Sequence, residues 1–226
     1  MSIRYRNYED VLQEFVEQHI EQIDHKDWTA LYRDISKQYS VLVGRLTELL
    51  WECDIHPEYD VVRLPDNFLA HADGISEWTV PDNIKQIGDN CFYMSTLRHI
   101  IIPEQVYSIG SKAFSQSDIV KIWLPSNLDV VSFGLCEGCE YLKFVRIPPN
   151  TQQISSASFR GCYELNEVTL LPETVTHIGA NAFEGCWSLG ELSYESTQDE
   201  FKQYLPEVCH ENSISKIHCS DGDILT

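Results

Sequence analysis

Apolar positions fall into two regimes along the chain. From residue 75 to about 189 they recur in a fixed order: apolar, two variable residues, apolar, one variable residue, apolar, proline. Leu97-Arg-His-Ile100-Ile-Ile102-Pro103 and Leu142-Lys-Phe-Val145-Arg-Ile147-Pro148 show it. Alternation with a period of two predicts a short strand, and a proline without an N–H ends it. The prolines Pro81, Pro103, Pro125, Pro148 and Pro172 step by 22, 22, 23 and 24 residues, and the fifth unit adds Leu171 before its proline. Eleven residues beyond each proline stands a large or soft apolar group, Phe92, Phe114, Cys136, Phe159 and Phe183, with the same steps. Insertions therefore fall between these marks.

A second apolar pair follows each proline, as in Val106-Tyr-Ser-Ile109-Gly110-Ser-Lys-Ala113-Phe114, and this half turns the chain back. Glycine after the apolar residue, at Gly88, Gly110 and Gly179, suits a positive φ or a close backbone approach, while Ser132 and Ser155 hold the same place in the other units. A unit of 22 to 24 residues cannot bury its apolar face alone. Stacked coils share one continuous core, so the pattern predicts a short curved solenoid.

The unit Leu165-Asn-Glu-Val168-Thr-Leu-Leu-Pro172-Glu-Thr-Val175-Thr-His-Ile178-Gly179-Ala-Asn-Ala182-Phe183-Glu-Gly185-Cys186 resembles the BspA-type, or treponemal, leucine-rich repeats. The resemblance covers Ile75 to about Leu189 in five units, with Val61 to Gly74 as a shortened opening unit. Beyond Leu189, Tyr194-Glu-Ser-Thr-Gln-Asp-Glu-Phe201 and Ile217-His-Cys219-Ser-Asp-Gly222-Asp-Ile224 resemble that family's closing cap. The first two units lack the Gly-Cys step, and the third carries Cys136 where Phe is usual. The resemblance implies an α+β leucine-rich-repeat solenoid over residues 61–226, capped from about 189, that serves as an adhesive or scaffolding surface. Fold alone does not fix activity.

Residues 1–60 follow the helical regime. From Asn7, an expected N-cap, Tyr8, Val11, Leu12, Phe15, Val16, Ile20 and Ile23 recur at helical spacing to about His25. A second stripe begins near Asp27 with Trp28, Leu31, Tyr32 and Ile35, and Val41, Leu42, Leu46, Leu49 and Leu50 form another. Helices this short need a surface to pack on. The expectation is a small helical segment capping the open end of the solenoid. The alternative is an amphipathic module that binds a partner or dimerises.

Charge narrows the choice of partner. The 226 residues carry 16 Lys and Arg against 35 Asp and Glu, a formal net charge of -19. No tail accounts for it, since residues 1–60 hold 6 basic and 13 acidic side chains and residues 61–226 hold 10 and 22. This sign disfavours direct binding to nucleic acid or an anionic membrane and favours a protein partner with a basic surface. Met1 to Gln22 lacks the apolar run of a signal peptide, and no stretch approaches the roughly 20 apolar residues of a membrane span. The expected location is cytoplasmic.

The candidate chemistry is sparse. Cys136-Glu-Gly-Cys139 has the spacing of a zinc or redox pair, but zinc needs two more ligands and a redox pair a helix N-terminus. Cys139, Cys162 and Cys186 share one repeat position, which predicts a column of buried thiols, with Cys136 replacing a core Phe. Cys53 with His56, and Cys209, His210, His218 and Cys219, match no regular ligand spacing, and Asp221-Gly222-Asp223 reads as a turn. No nucleophile motif, phosphate-cradling glycine loop or paired acid sequence stands out. The expectation is a chain that is not an enzyme and takes no cofactor or metal.

Side chains alternate along a strand, so two columns are left outside the core. One is Glu77, His99, Lys121, Phe144, Glu167 and Glu191; the other is Thr79, Ile101, Trp123, Arg146, Thr169 and Ser193. Both turn apolar and basic in the middle coils, so His99, Ile101, Lys121, Trp123, Phe144 and Arg146 should form one patch on the concave strand face. Trp and Arg dominate interface energetics, at about 2 kcal/mol or more each when a partner buries them. The leading expectation is a protein-interaction scaffold gripping its partner there, with self-cover of Trp123 and Phe144 by the N-terminal helices as the alternative. The rival function is an acidic mimic of nucleic acid, of the kind phages encode, inhibiting a DNA- or RNA-binding enzyme.

Overall fold

The computed structural model describes residues 63–64, 66–80, 82, 84–168, 174–208 and 213–226, and the helices expected for residues 1–60 lie outside them. Along the chain run β1 (Arg63–Leu64), β2 (Glu77–Thr79), β3 (Gln86–Ile87), β4 (His99–Ile101), β5 (Ser108–Ile109), β6 (Lys121–Trp123) and β7 (Val130–Val131). They continue with β8 (Phe144–Arg146), β9 (Gln153–Ile154), β10 (Glu167–Val168), β11 (His177–Ile178) and β12 (Glu191–Ser193). The cap adds α1 (Gln198–Phe201), a 3-10 turn (Lys202–Tyr204), α2 (Leu205–Val208), β13 (Lys216–Cys219) and β14 (Gly222–Leu225).

Each coil contributes one strand before its proline and one after it. The first set forms a parallel sheet in the order β10-β8-β6-β4-β2, and the second forms two ladders, β1-β3-β5 and β7-β9-β11. Between β5 and β7, which do not pair, the Ser132 hydroxyl donates to the Ile109 carbonyl. A third segment closes the coil with two left-handed residues: Asn67 and His71, Asn90 and Met94, Lys112 and Gln116, Gly134 and Gly138, Ala157 and Gly161, Asn181 and Gly185. Such backbone costs a residue with a Cβ about 1 to 3 kcal/mol. Hydrogen bonds to the next coil offset it, as His71 N–H donates to Tyr93 O at 2.7 Å and Gln116 N–H to Glu137 O at 2.7 Å.

The solenoid has about six turns with the opening unit counted, whose described residues hold β1 and a left-handed turn. Asn67 and His71 repeat the turn, and Phe68 and Leu69 are buried as their counterparts are.

Between the three segments lies one continuous core. Phe92 and Phe114 stack with ring centroids 5.1 Å apart, and Phe159 and Phe183 at 5.5 Å, with buried Cys136 in the coil between the pairs. Beside them Ser95, Ser117, Cys139, Cys162 and Cys186 form a second buried column. The Ser95 hydroxyl donates within its coil to Phe92 O at 2.8 Å, whereas the Cys139 thiol reaches back a coil to Phe114 O at 2.9 Å and Cys186 to Phe159 O at 3.2 Å. Gly110 and Gly179 serve close approach, not positive φ: a Cβ on Gly179 would lie 2.3 Å from Ser156 N.

Past the last coil, α1 starts at Thr197, whose hydroxyl accepts from Glu200 N–H while the Glu200 carboxylate accepts from Thr197 N–H. This capping box closes a helix too short to nucleate alone. Phe201 is buried between Tyr194 and Tyr204, and the Tyr204 hydroxyl donates to Val175 O at 3.0 Å, pinning the cap to the sixth coil. Strand β13 pairs in parallel with β12, and β14 folds back antiparallel to it.

Candidate functional site

Parallel pairing without slippage turns sequence spacing into neighbouring side chains. The register sets Glu77 beside His99, His99 beside Lys121, Lys121 beside Phe144 and Phe144 beside Glu167. In the second column Thr79 lies beside Ile101 and Trp123 beside Arg146. Between these columns Ile122 and Val145 point inward and are fully buried. Ile101 and Trp123 point outward, 65% and 63% exposed.

His99, Ile101, Lys121, Trp123 and Arg146 line one cleft of about 320 Å³ with Ile100, Ile102 and Glu104. Phe144 does not line it; half-buried, it sits beside Lys121 in β8. Five of the six expected residues thus converge, and the sixth packs at the edge. Sequence reasoning missed Glu104, which follows Pro103 and lies past the strand. Its carboxylate accepts the Ser126 N–H at 2.7 Å, which with the Ser126 hydroxyl and Arg146 holds it below the usual range.

The electrostatics change sign along the face. His99 Nδ1 stands 3.7 Å from Glu77 Oε1, both largely exposed, while Lys121 and Arg146 have no ion-pair partner among the described residues. Glu77 and Glu167 bracket the cationic middle in the register. The face therefore offers an apolar wall, two available cations and acidic ends.

A second exposed aromatic group also escaped the sequence reading. Tyr163 and Trp187 line a cleft of about 370 Å³ with Arg160, Gly161, Glu184 and Gly185, on the left-handed turns. Each follows a cysteine of the buried column directly, which is the signal that marks them.

Chemistry at the cysteines is constrained by burial. Desolvation raises the Cys136 and Cys162 thiols well above their ordinary range and pushes Cys186 up to about 12. Among the described residues no group of three or more His, Cys, Asp and Glu is placed to hold a metal ion. His218 is engaged instead with Glu191 Oε2 at 3.1 Å and Asp223 Oδ1 at 2.9 Å. Cys53, His56, Cys209 and His210 lie outside the described residues.

Comparison with known proteins agrees with this architecture. Six copies of the BspA type leucine rich repeat region match, over residues 62–189 and 131–222. No curated protein matches. A leucine-rich repeat protein from Eubacterium ventriosum is similar in structure, with a TM-score of 0.58 at 22% identity over 75% of this chain and 49% of its own. A leucine rich cell surface protein from Faecalibacterium prausnitzii gives 0.46 at 23% identity, over 60% of this chain and 43% of its own. The chain thus spans about half the length of each of these relatives. With the repeat matched over more than half its residues, the chain belongs to the BspA-type leucine-rich-repeat family.

Proposed function

We propose that this chain is a non-enzymatic protein-interaction scaffold whose central concave strand face, formed by β4, β6 and β8, grips a protein partner through His99, Ile101, Lys121, Trp123, Phe144 and Arg146. The observation that carries this reading is the outward exposure of Ile101 and Trp123 from adjacent strands of one parallel sheet. Contiguous apolar surface rimmed by polar groups usually marks an interaction site. The net charge of -19 steers a partner with a basic surface toward the face and raises the association rate. A cytoplasmic, reducing location belongs to the proposal, because the thiols of Cys139, Cys162 and Cys186 are spent as donors to buried carbonyls.

The test is affinity capture from native lysate, followed by titration of the captured protein against the wild-type chain and Trp123→Ala. Loss of Trp123 should weaken binding about 30-fold, as expected for a truncated aromatic anchor. Unchanged affinity would place the partner elsewhere. Salt separates the rival acidic mimic: its affinity should collapse between low and high ionic strength, whereas an aromatic-centred contact should weaken only modestly.

A further inference from the structure

We infer that the segment seated on this face is an acidic, apolar peptide: an apolar side chain enters the cleft beside Trp123, and neighbouring carboxylates meet Lys121 and Arg146. The inference rests on the docking face proposed above and adds the chemistry of its occupant. Elsewhere in this chain of 35 acids and 16 bases, Arg63, Lys112, Lys143, Arg160, Lys202 and Lys216 each hold an acid, while exposed Lys85 and Arg98 form no ion pair among the described residues. Lys112 and Arg160 both hold Glu137, and Lys143 holds Glu164. Lys121 and Arg146 likewise form no ion pair among the described residues, Arg146 acting on Glu104 only at longer range, and these two flank the most exposed aromatic ring of the sheet. Glu104, the acid in the cleft lining, is already engaged by the Ser126 N–H.

The local sign is thus opposite to that of the whole chain, and the two fit one ligand. Across the register the outward groups run Glu77, His99, Lys121, Phe144, Glu167, which is acidic, basic, apolar and acidic again. A peptide laid across the strands meets them in that order. Adjacent strands stand about 4.8 Å apart, so β2 to β10 span roughly 19 Å, the reach of about six extended residues. Carboxylates and an apolar anchor belong at the centre of such a peptide and basic residues at its ends, which agrees with long-range attraction by an acidic protein. A nucleic acid fits poorly, because its further phosphates would fall on Glu77 and Glu167.

A display library of random nonapeptides selected against the full chain tests this. Enriched peptides should place an apolar residue next to Asp or Glu at their centre, and exchanging those acids for Asn or Gln should cost about tenfold in affinity. The double variant Lys121→Glu, Arg146→Glu, checked for an unchanged circular dichroism melt, should select Lys- or Arg-centred peptides instead. If Trp123→Ala leaves the selected peptides bound, the face itself is wrong. If Trp123→Ala releases them but charge reversal changes nothing, the face stands and the acidic occupant is overturned. Enrichment of no peptide, enrichment of sequences from residues 1–60 of this chain, or tighter binding of a single-stranded RNA nonamer also overturns the inference.

Discussion

Replacing Gly179 with alanine sets two opposing effects against each other, and the structure decides the sign. Gly179 has no positive φ, so on entropy alone the change should stabilise the fold by about 0.4 to 1 kcal/mol through a less flexible unfolded chain. The added Cβ would stand 2.3 Å from Ser156 N and 2.8 Å from Ser155 C, where carbon contacts normally need about 3.5 Å or more. Both obstacles are backbone, so the fifth and sixth coils must part. The bond from Gly179 N–H to Ile154 O, 2.7 Å long, and the pairing of β11 with β9 would stretch with them. Overpacking at about 1 to 3 kcal/mol and a weakened hydrogen bond at about 1 outweigh the entropic gain, for a net loss near 2 kcal/mol. Gly190→Ala is the control: nothing lies within 4 Å of its Cβ position, so only the entropic gain remains. Urea denaturation followed by circular dichroism should lower the midpoint for Gly179→Ala and leave or raise it for Gly190→Ala. A raised midpoint for Gly179→Ala would refute coil contact as the reason for glycine there.

Other outcomes follow from the core, the cap and the thiols. Phe114→Ala removes a fully buried ring stacked on Phe92 and should cost about 3 to 5 kcal/mol in the same denaturation assay, whereas the stability effect of Trp123→Ala should stay within about 0.5 kcal/mol. The hydrogen bonds to Glu191 and then Asp223 raise the His218 pKa above 6.5, so its contribution is complete below the unfolded value and is lost as pH rises through the folded one. Thermal midpoints should therefore fall as pH climbs above about 6.5, and His218→Gln should remove that component of the slope. Alkylation at pH 8 with mass mapping should modify half-buried Cys219 in the native protein, and Cys91, Cys136, Cys139, Cys162 and Cys186 only after urea.

Much of this fold is written in side-chain spacing. Pro103, Pro125 and Pro148 mark where strands stop, and Phe92, Phe114, Phe159 and Phe183 mark the core, so outward columns could be counted and the register carried them into place. The opening unit was legible only in outline, because Asn67 and His71 repeat a backbone conformation rather than a side-chain type. Glu104 escaped because it lies on the turn after Pro103, and the Tyr163 and Trp187 cleft because it lies on turns whose direction depends on left-handed residues; strand alternation covers neither. The sign reversal at Lys121 and Arg146 was visible as composition. That neither cation forms an ion pair among the described residues needed coordinates.

Photo-crosslinking from single positions tests the docking face most directly. A benzophenone side chain is placed at position 101 or 123 on the long-strand sheet, or at exposed Val130 in β7, and the chain is irradiated in lysate with its partner. The proposed account predicts a protein adduct of one common mass from positions 101 and 123 and none from 130. An adduct from position 130 with none from 101 or 123 would contradict it.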